Sequence, residues 1–315
     1  MKATLGTAVI AVGGNSLIAD KDHISLQDQA LAAEESMKHV AQMVSAGWRV
    51  VVTHGNGPQV GFLLRRAELA TAELPVPPLD ILGADTQGAT GYLFARALNH
   101  EFAQRGINQQ AVALVTQTVV NAADPAFLAP SKPIGSFMTE ELAAARAKTD
   151  GWNVVEDSGR GWRRVVPSPK PERIVELDAI RALSQAGYAV IAGGGGGIPV
   201  VAEGLGCRGV EAVIDKDYAT ALLANQLGAE VLLISTAVDA VAVGFNTPEQ
   251  RWLTQVTAAE MQSHLEAGQF GAGSMAPKVE AALDFIKRGG QRVIITSPPL
   301  MADAVAGRVG TSIVP

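Results

Sequence analysis

Five consecutive glycines, Gly193 to Gly197, directly follow the apolar run Tyr188 to Ala192, and this junction restricts the architecture more than any other stretch. A short apolar run bounded by turn residues reads as a buried strand. The loop that follows has no side chains over it, so its backbone N–H groups can approach an anion closely. Further along, Asp215-Lys216-Asp217 opens a helix through Ala219, Leu222 and Leu223, with Asp215 as its N-cap. A lysine at a helix N-terminus opposes the helix dipole unless a bound anion offsets it. Taken singly, the glycines are a tight turn and the lysine is a solvated charge. Together they point to handling of a phosphoryl group.

Two earlier segments repeat the strand-then-glycine arrangement. Thr7 to Val12 is an apolar run that stops at Gly13-Gly14-Asn15, and Arg49 to Thr53 runs into His54-Gly55-Asn56-Gly57-Pro58. Between them, Ser25 and Asp28 form a capping box ahead of a stripe of Leu31, Met37, Val40, Ala41 and Val44 that ends at Gly47. A long helix is expected over Leu79 to Gln104, with Gly83, Gly88 and Gly91 allowing close packing, and a strand over Ala111 to Val120. Helices follow at Leu177 to Ala186, Thr257 to Ala267 and Met275 to Arg288, with strands at Val231 to Ser235, Arg292 to Thr296 and Thr311 to Val314. Apolar strands alternating with helices imply an α/β fold: a three-layer αβα sandwich around a mainly parallel open sheet, whose strand C-termini carry the ligand site.

Residues Ala122 to Pro169 break this alternation. Prolines stand at 125, 130, 133, 167 and 169, a short helix is expected near Thr139 to Lys148, and an arginine-rich hairpin runs from Gly159 to Arg164. The segment reads as an inserted, protruding lid on a single domain spanning 1–315.

Composition excludes several classes. A net charge of −6 gives no general attraction to nucleic acid or to an anionic membrane, so positive charge must act locally. No apolar run has the length of a membrane span or a signal-peptide core. The single cysteine, Cys207, rules out an intrachain disulfide and a thiolate metal cluster, and a reducing cytoplasm is the simplest setting. Cys207 itself reads as a small packing residue. The histidines show no metal spacing, and His54 is assigned a structural hydrogen bond. A literal G-x-G-x-x-G at Gly204, Gly206 and Gly209 does not fit a dinucleotide site, since Val210 to Ile214 reads as extended where a helix should open and Glu230 precedes its strand instead of ending it. No Gly-Lys pair exists, so there is no P-loop. Of nine lysines, Lys132, Lys216 and Lys278 lie among Pro, Gly or Ser or at an expected helix start, a set suited to catalysis by positioning and charge neutralisation.

The segments AVGGN (Ala11 to Asn15), VTHGNGPQVG (Val52 to Gly61), TQG and GY (Thr86 to Tyr92), SKPIG (Ser131 to Gly135), GRGWRRVVPSP (Gly159 to Pro169), GGGGIPV (Gly194 to Val200), VEAVIDKD (Val210 to Asp217) and GSMAPKVEA (Gly273 to Ala281) together resemble the carbamate kinases, within the amino-acid kinase fold. SKPIG and GRGWRRVVPSP set them apart from other kinases of that fold. The resemblance implies reversible phosphoryl transfer between ATP and carbamate, with Mg²⁺ carried mainly by the phosphates and no protein metal site. It places Gly13, Gly14, Asn15, Gly55 and Asn56, with Gly194 and Gly195, around carbamate and the transferring phosphoryl group. Lys132 reaches in from the lid, Lys216 and Lys278 neutralise phosphates, and Asp217 orients those two lysines. The nucleotide is expected near Val238, Asp239 and Val243 and near Gly273, Ser274 and Met275. On this reading 1–190 forms the carbamate and phosphoryl side, 191–315 forms the nucleotide side, and the chain is a homodimer. Ser136 and Ala237 depart from the family pattern, the first where many relatives carry proline and the second near where many carry aspartate.

Overall fold

The computed structural model describes residues 4–13, 17, 18, 22–157, 159–271 and 273–315. Its helices among these residues are α1 (Leu26–Ser45), α2 (Gly57–Leu69), α3 (Leu79–Gln104), α4 (Glu140–Asp150), α5 (Leu177–Gln185), α6 (Lys216–Leu227), α7 (Ala258–Glu266), α8 (Ala276–Lys287) and α9 (Met301–Val305). The expected capping box is present, with the Ser25 side chain accepting from the Asp28 N–H and the Asp28 carboxylate accepting from Ser25.

An eight-stranded sheet forms the middle layer. Its spatial order is Gln255–Thr257, Thr311–Val314, Val293–Thr296, Val231–Ser235, Gly6–Val12, Trp48–His54, Ala189–Ile191 and Ala111–Ala113. All neighbours are parallel except Val293–Thr296 against Thr311–Val314. Because side chains alternate across a strand, the central one is divided between two cores. Val9 and Ala11 pack with Leu223, Val279 and Phe285 of α6 and α8, whereas Ala8, Ile10 and Val12 pack with Met37, Phe94 and Met301 of α1, α3 and α9. Both faces of the sheet are therefore covered, which is why its strands read as continuous apolar runs.

The expected strand over Ala111 to Val120 is instead two strands in two sheets. Ala111–Ala113 closes one edge of the main sheet, while Gln117–Val120 joins a four-stranded sheet with Gly206–Gly209, Ile198–Glu203 and Pro171–Ile174. Thr116 lies in the break: its N–H donates to Gln87 Oε1 at 2.7 Å and its hydroxyl to the Leu114 carbonyl, so α3 takes the bonds a strand partner would. Helix α2 begins within the segment read as a glycine–proline loop, with Pro58 in its first turn, a position that needs no N–H partner. Gly204, Gly206 and Gly209 lie on an antiparallel hairpin, which excludes the dinucleotide fingerprint geometrically. Cys207 is exposed on that hairpin and is not the packing residue expected.

Residues 132–166 form a separate three-stranded antiparallel sheet, ordered Lys132–Met138, Trp162–Val166 and Asn153–Glu156, with α4 against it. Ile134 and Val166 seat it on Val60 and Leu64 of α2 and on Leu79 and Leu82 of α3. Its arginines are absorbed locally: Arg160 and Arg163 lie over Phe137, and Arg146 and Arg164 over Trp152.

Candidate active site

Gly6–Val12, Trp48–His54 and Ala189–Ile191 are adjacent parallel strands, so the glycine-rich loops at their C-terminal ends meet. The Gly55 N–H donates to the Val12 carbonyl at 3.0 Å, and that of Ala192 to the Val52 carbonyl at 2.9 Å. Gly195 has φ +67°, and a Cβ there would overlap the Asn56 amide. At Gly196, φ is +92° and a Cβ would lie 2.5 Å from the Ile214 carbonyl oxygen. The glycines are thus required for close packing against neighbouring loops. Asn56 is buried and donates to Thr86 Oγ1 at 2.8 Å, and Gln87 donates to the Gly194 carbonyl at 3.0 Å. Gly14 and Asn15 lie outside the described residues.

His54 supports this junction from below. Its ring is buried, meets Phe94 edge-on with centroids 5.5 Å apart, and donates through Nδ1 to the Gly55 carbonyl at 2.9 Å. Burial pushes its pKa down to about 4, outweighing the opposing effect of the bond to Gly55. The unfolded chain therefore takes up this proton first, near pH 6.5, and stability is lost as pH falls from 6.5 towards 4. The expected loss over that window is about 3 kcal/mol from this group. An NMR titration of the His54 ring with a midpoint near 6.5 would contradict the assignment.

Helix α6 presents the charged groups. Asp215 Oδ1 caps it, accepting from the Asp217 N–H at 2.9 Å. Asp217, only 3% exposed, accepts from Lys216 Nζ at 2.5 Å and from Lys278 Nζ, in the first turn of α8, at 3.2 Å. Burial alone would raise the Asp217 pKa, but the charges and hydrogen bonds of the two lysines outweigh it and hold the carboxyl below its ordinary range. Thr220 ties α6 to the sheet through a 2.6 Å hydroxyl contact with Thr53. The fifth charged group arrives from the small sheet: Lys132 Nζ lies 2.7 Å from Asp215 Oδ2. Lys132, Lys216, Asp217 and Lys278 are thereby joined through Asp215, a residue the sequence marked only as a cap.

A cavity of about 820 Å³ opens beside them, with Gly13, Lys216 and Lys278 on its wall. Of the residues expected around a nucleotide, Val238, Ser274 and Met275 line it, as does Ala237. Asp239 instead accepts from the Ser297 hydroxyl at 2.6 Å, and Val243 is buried in the core with α6 and α8. Gly273 is exposed in the turn before α8. Sequence reading missed the aromatic end of the cavity, Phe245, Trp252 and Phe270, because isolated aromatics in a loop and a short strand carry no periodic signal.

The profile of the Amino acid kinase family matches residues 6–297. Carbamate kinase of Pyrococcus furiosus is 44% identical over 309 residues, covering 98% of each chain, and carbamate kinase 2 of Enterococcus faecalis is 47% identical over 291 residues, covering 92% of this chain and 93% of the other. Carbamate kinase-like protein YahI of Escherichia coli is also 47% identical, over 310 residues, covering 97% of this chain and 98% of the other. The structure of Giardia lamblia carbamate kinase bound to AMP-PNP superposes with a TM-score of 0.93 at 40% identity, covering 100% of this chain and 99% of that one. The chain belongs to the amino acid kinase family and, within it, to the carbamate kinases.

Proposed function

We propose that the chain catalyses reversible phosphoryl transfer between ATP and carbamate, interconverting them with ADP and carbamoyl phosphate. The observation that carries this reading is the buried Asp217 carboxylate holding the Lys216 and Lys278 ammonium groups at the wall of the cavity. Phosphoryl transfer needs positioning and charge neutralisation more than covalent chemistry. Two lysines anchored to one buried carboxylate supply donors that need little rearrangement as charge develops on the transferring group. The carbamate oxygen is already anionic, so no general base is required, and Asp217 serves to orient.

Asp215 and Asp217 are each committed to lysines, and no group of three His, Cys, Asp or Glu side chains suited to a metal occurs among the described residues. These residues fit an Mg²⁺ that enters on the nucleotide phosphates and keeps several of its waters, with Lys216 and Lys278 taking phosphate oxygens. When bound, the ion would add charge neutralisation to that supplied by Lys216 and Lys278.

The glycine junction with Gly13, Gly55, Asn56, Gly194 and Gly195 is assigned to carbamate and the phosphoryl group, and Val238, Ser274 and Met275 to the nucleotide. Residues 122–169 are assigned the role of lid, with 1–190 forming the carbamate and phosphoryl side and 191–315 the nucleotide side. Cytoplasmic operation toward ATP synthesis in nitrogen catabolism completes the reading. A homodimer is supported by the edge strand Ala111–Ala113 and by Ile81 and Tyr92, both exposed on α3. A coupled assay of ATP formation from ADP, Mg²⁺ and carbamoyl phosphate, run beside acetyl phosphate, tests the assignment. Turnover of carbamoyl phosphate is the expected result. ADP binding without that turnover would overturn the reading, and preference for acetyl phosphate would redirect it to another acceptor.

A further inference from the structure

We infer that Asp215 is a positioning residue for the transfer, acting on Lys132 rather than only capping a helix. The inference rests on the proposed reaction and on Lys132 meeting the transferring phosphoryl group. The Asp215 carboxylate uses different oxygens for its two tasks: Oδ1 accepts from the Asp217 N–H at 2.9 Å, and Oδ2 accepts from Lys132 Nζ at 2.7 Å. Bonds to both oxygens fix the carboxylate plane, and with it the direction from which the ammonium is held. Asp215 is bonded to Asp217 and directly precedes Lys216, so Lys132 is placed relative to the groups assigned to the phosphates. This is the ion pair that joins the small sheet to α6 across 83 residues of chain.

A free lysine side chain samples many rotamers, and ordering it as the reaction proceeds raises the barrier. Held by Asp215 beforehand, Lys132 loses that freedom earlier, while its ammonium keeps two further protons for phosphoryl oxygens. Charge bookkeeping fits the same role. Lys132, Lys216 and Lys278 against Asp215 and Asp217 leave three positive and two negative charges, a net of one positive, so the cluster is assembled before an anion arrives and still attracts one.

Capping and positioning separate cleanly in one substitution. Asp215→Asn retains a side-chain oxygen for the Asp217 N–H, since asparagine caps as well as aspartate, but removes the charge facing Lys132. The expected result is a kcat lowered ~10-fold, with the KM for ADP and the melting temperature unchanged, because one preorganised interaction is loosened and not deleted. In a Lys132→Ala background the same change should lower kcat less than about twofold, since the partner is already gone. Asp215→Ala should lower the melting temperature as well, through loss of the cap. A wild-type kcat for Asp215→Asn, or the same fold loss with and without Lys132, overturns the inference. Hydrogen exchange of the segment 131–138 reads the ion pair without turnover: faster exchange in Asp215→Asn supports the inference, and identical exchange overturns it. Failure of the unmodified protein to use carbamoyl phosphate would instead strike the proposed reaction and leave the exchange result standing.

Discussion

Asp217→Asn is expected to lower kcat by ~10³, the upper end for loss of one preorganised electrostatic group. Asparagine has nearly the same shape, so the change isolates charge. One side-chain oxygen still accepts from one lysine, but the new NH₂ group faces the other ammonium donor to donor. Lys216 and Lys278, with side chains only 13% and 19% exposed, then share a site with no counter-charge and move apart. Phosphate contacts are lost from both, so the KM for ADP should rise together with the fall in kcat. Stability should drop by about 3 kcal/mol, the lower end for removing one partner of a buried ion pair, because both lysines retain some access to water. Steady-state kinetics and thermal unfolding on the same preparation check both statements. A variant within tenfold of the unmodified enzyme would show that the lysines are held by something other than Asp217.

The layers of the fold were legible because the main-sheet strands are buried on both faces and read as apolar runs. Helix α3 spans the Leu79 to Gln104 expected from its apolar pattern, with Pro78 before it and Arg105-Gly106 after it. Two local errors have different causes, one a bond that crosses between elements and the other an ambiguous local signal. The run Ala111 to Val120 is uniformly strand-like, and only Gln87, on a distant helix, divides it at Thr116. Helix α2 starts at Gly57-Pro58, residues that signal a turn as readily as a first helical turn.

Part of the candidate site was visible for a reason that the structure broadens. The glycine run suggested backbone open to an anion, yet the space beside Gly194, Gly195 and Gly196 is occupied by His54, Asn56 and Ile214. No property of those residues reveals this pairing until the sheet order makes their loops neighbours. The same limit applies to charge. Asp215, Lys216 and Asp217 are adjacent in sequence and were read as a unit, whereas the approach of Lys132 depends on a small sheet seated on α2 through Ile134 and Val166. Asp239 is expected near the nucleotide, and its bond to Ser297, at the end of another strand, has no signal in the sequence.

Lys132→Ala is expected to lower kcat by ~10²–10³, on the order of 3–4 kcal/mol of transition-state stabilisation, as for loss of one positioned donor. The residue opens the strand Lys132–Met138, whose backbone is held by pairing with Val166 and whose Ile134 is buried, so truncating one side chain leaves the strand in place. Its own side chain is 36% exposed, and folding stability should change by only about 0.5 kcal/mol or less. ADP affinity should survive, because Lys216 and Lys278 remain fastened to Asp217. Lys216→Ala and Lys278→Ala should differ in kind, weakening ADP binding together with turnover. The contrast follows from where each lysine is rooted: two on helices of the main domain, one on a sheet that meets the site from outside. Calorimetric ADP binding alongside single-turnover kinetics separates the cases. A Lys132→Ala enzyme with near-normal kcat would leave this lysine a partner of Asp215 alone and remove 122–169 from the catalytic machinery.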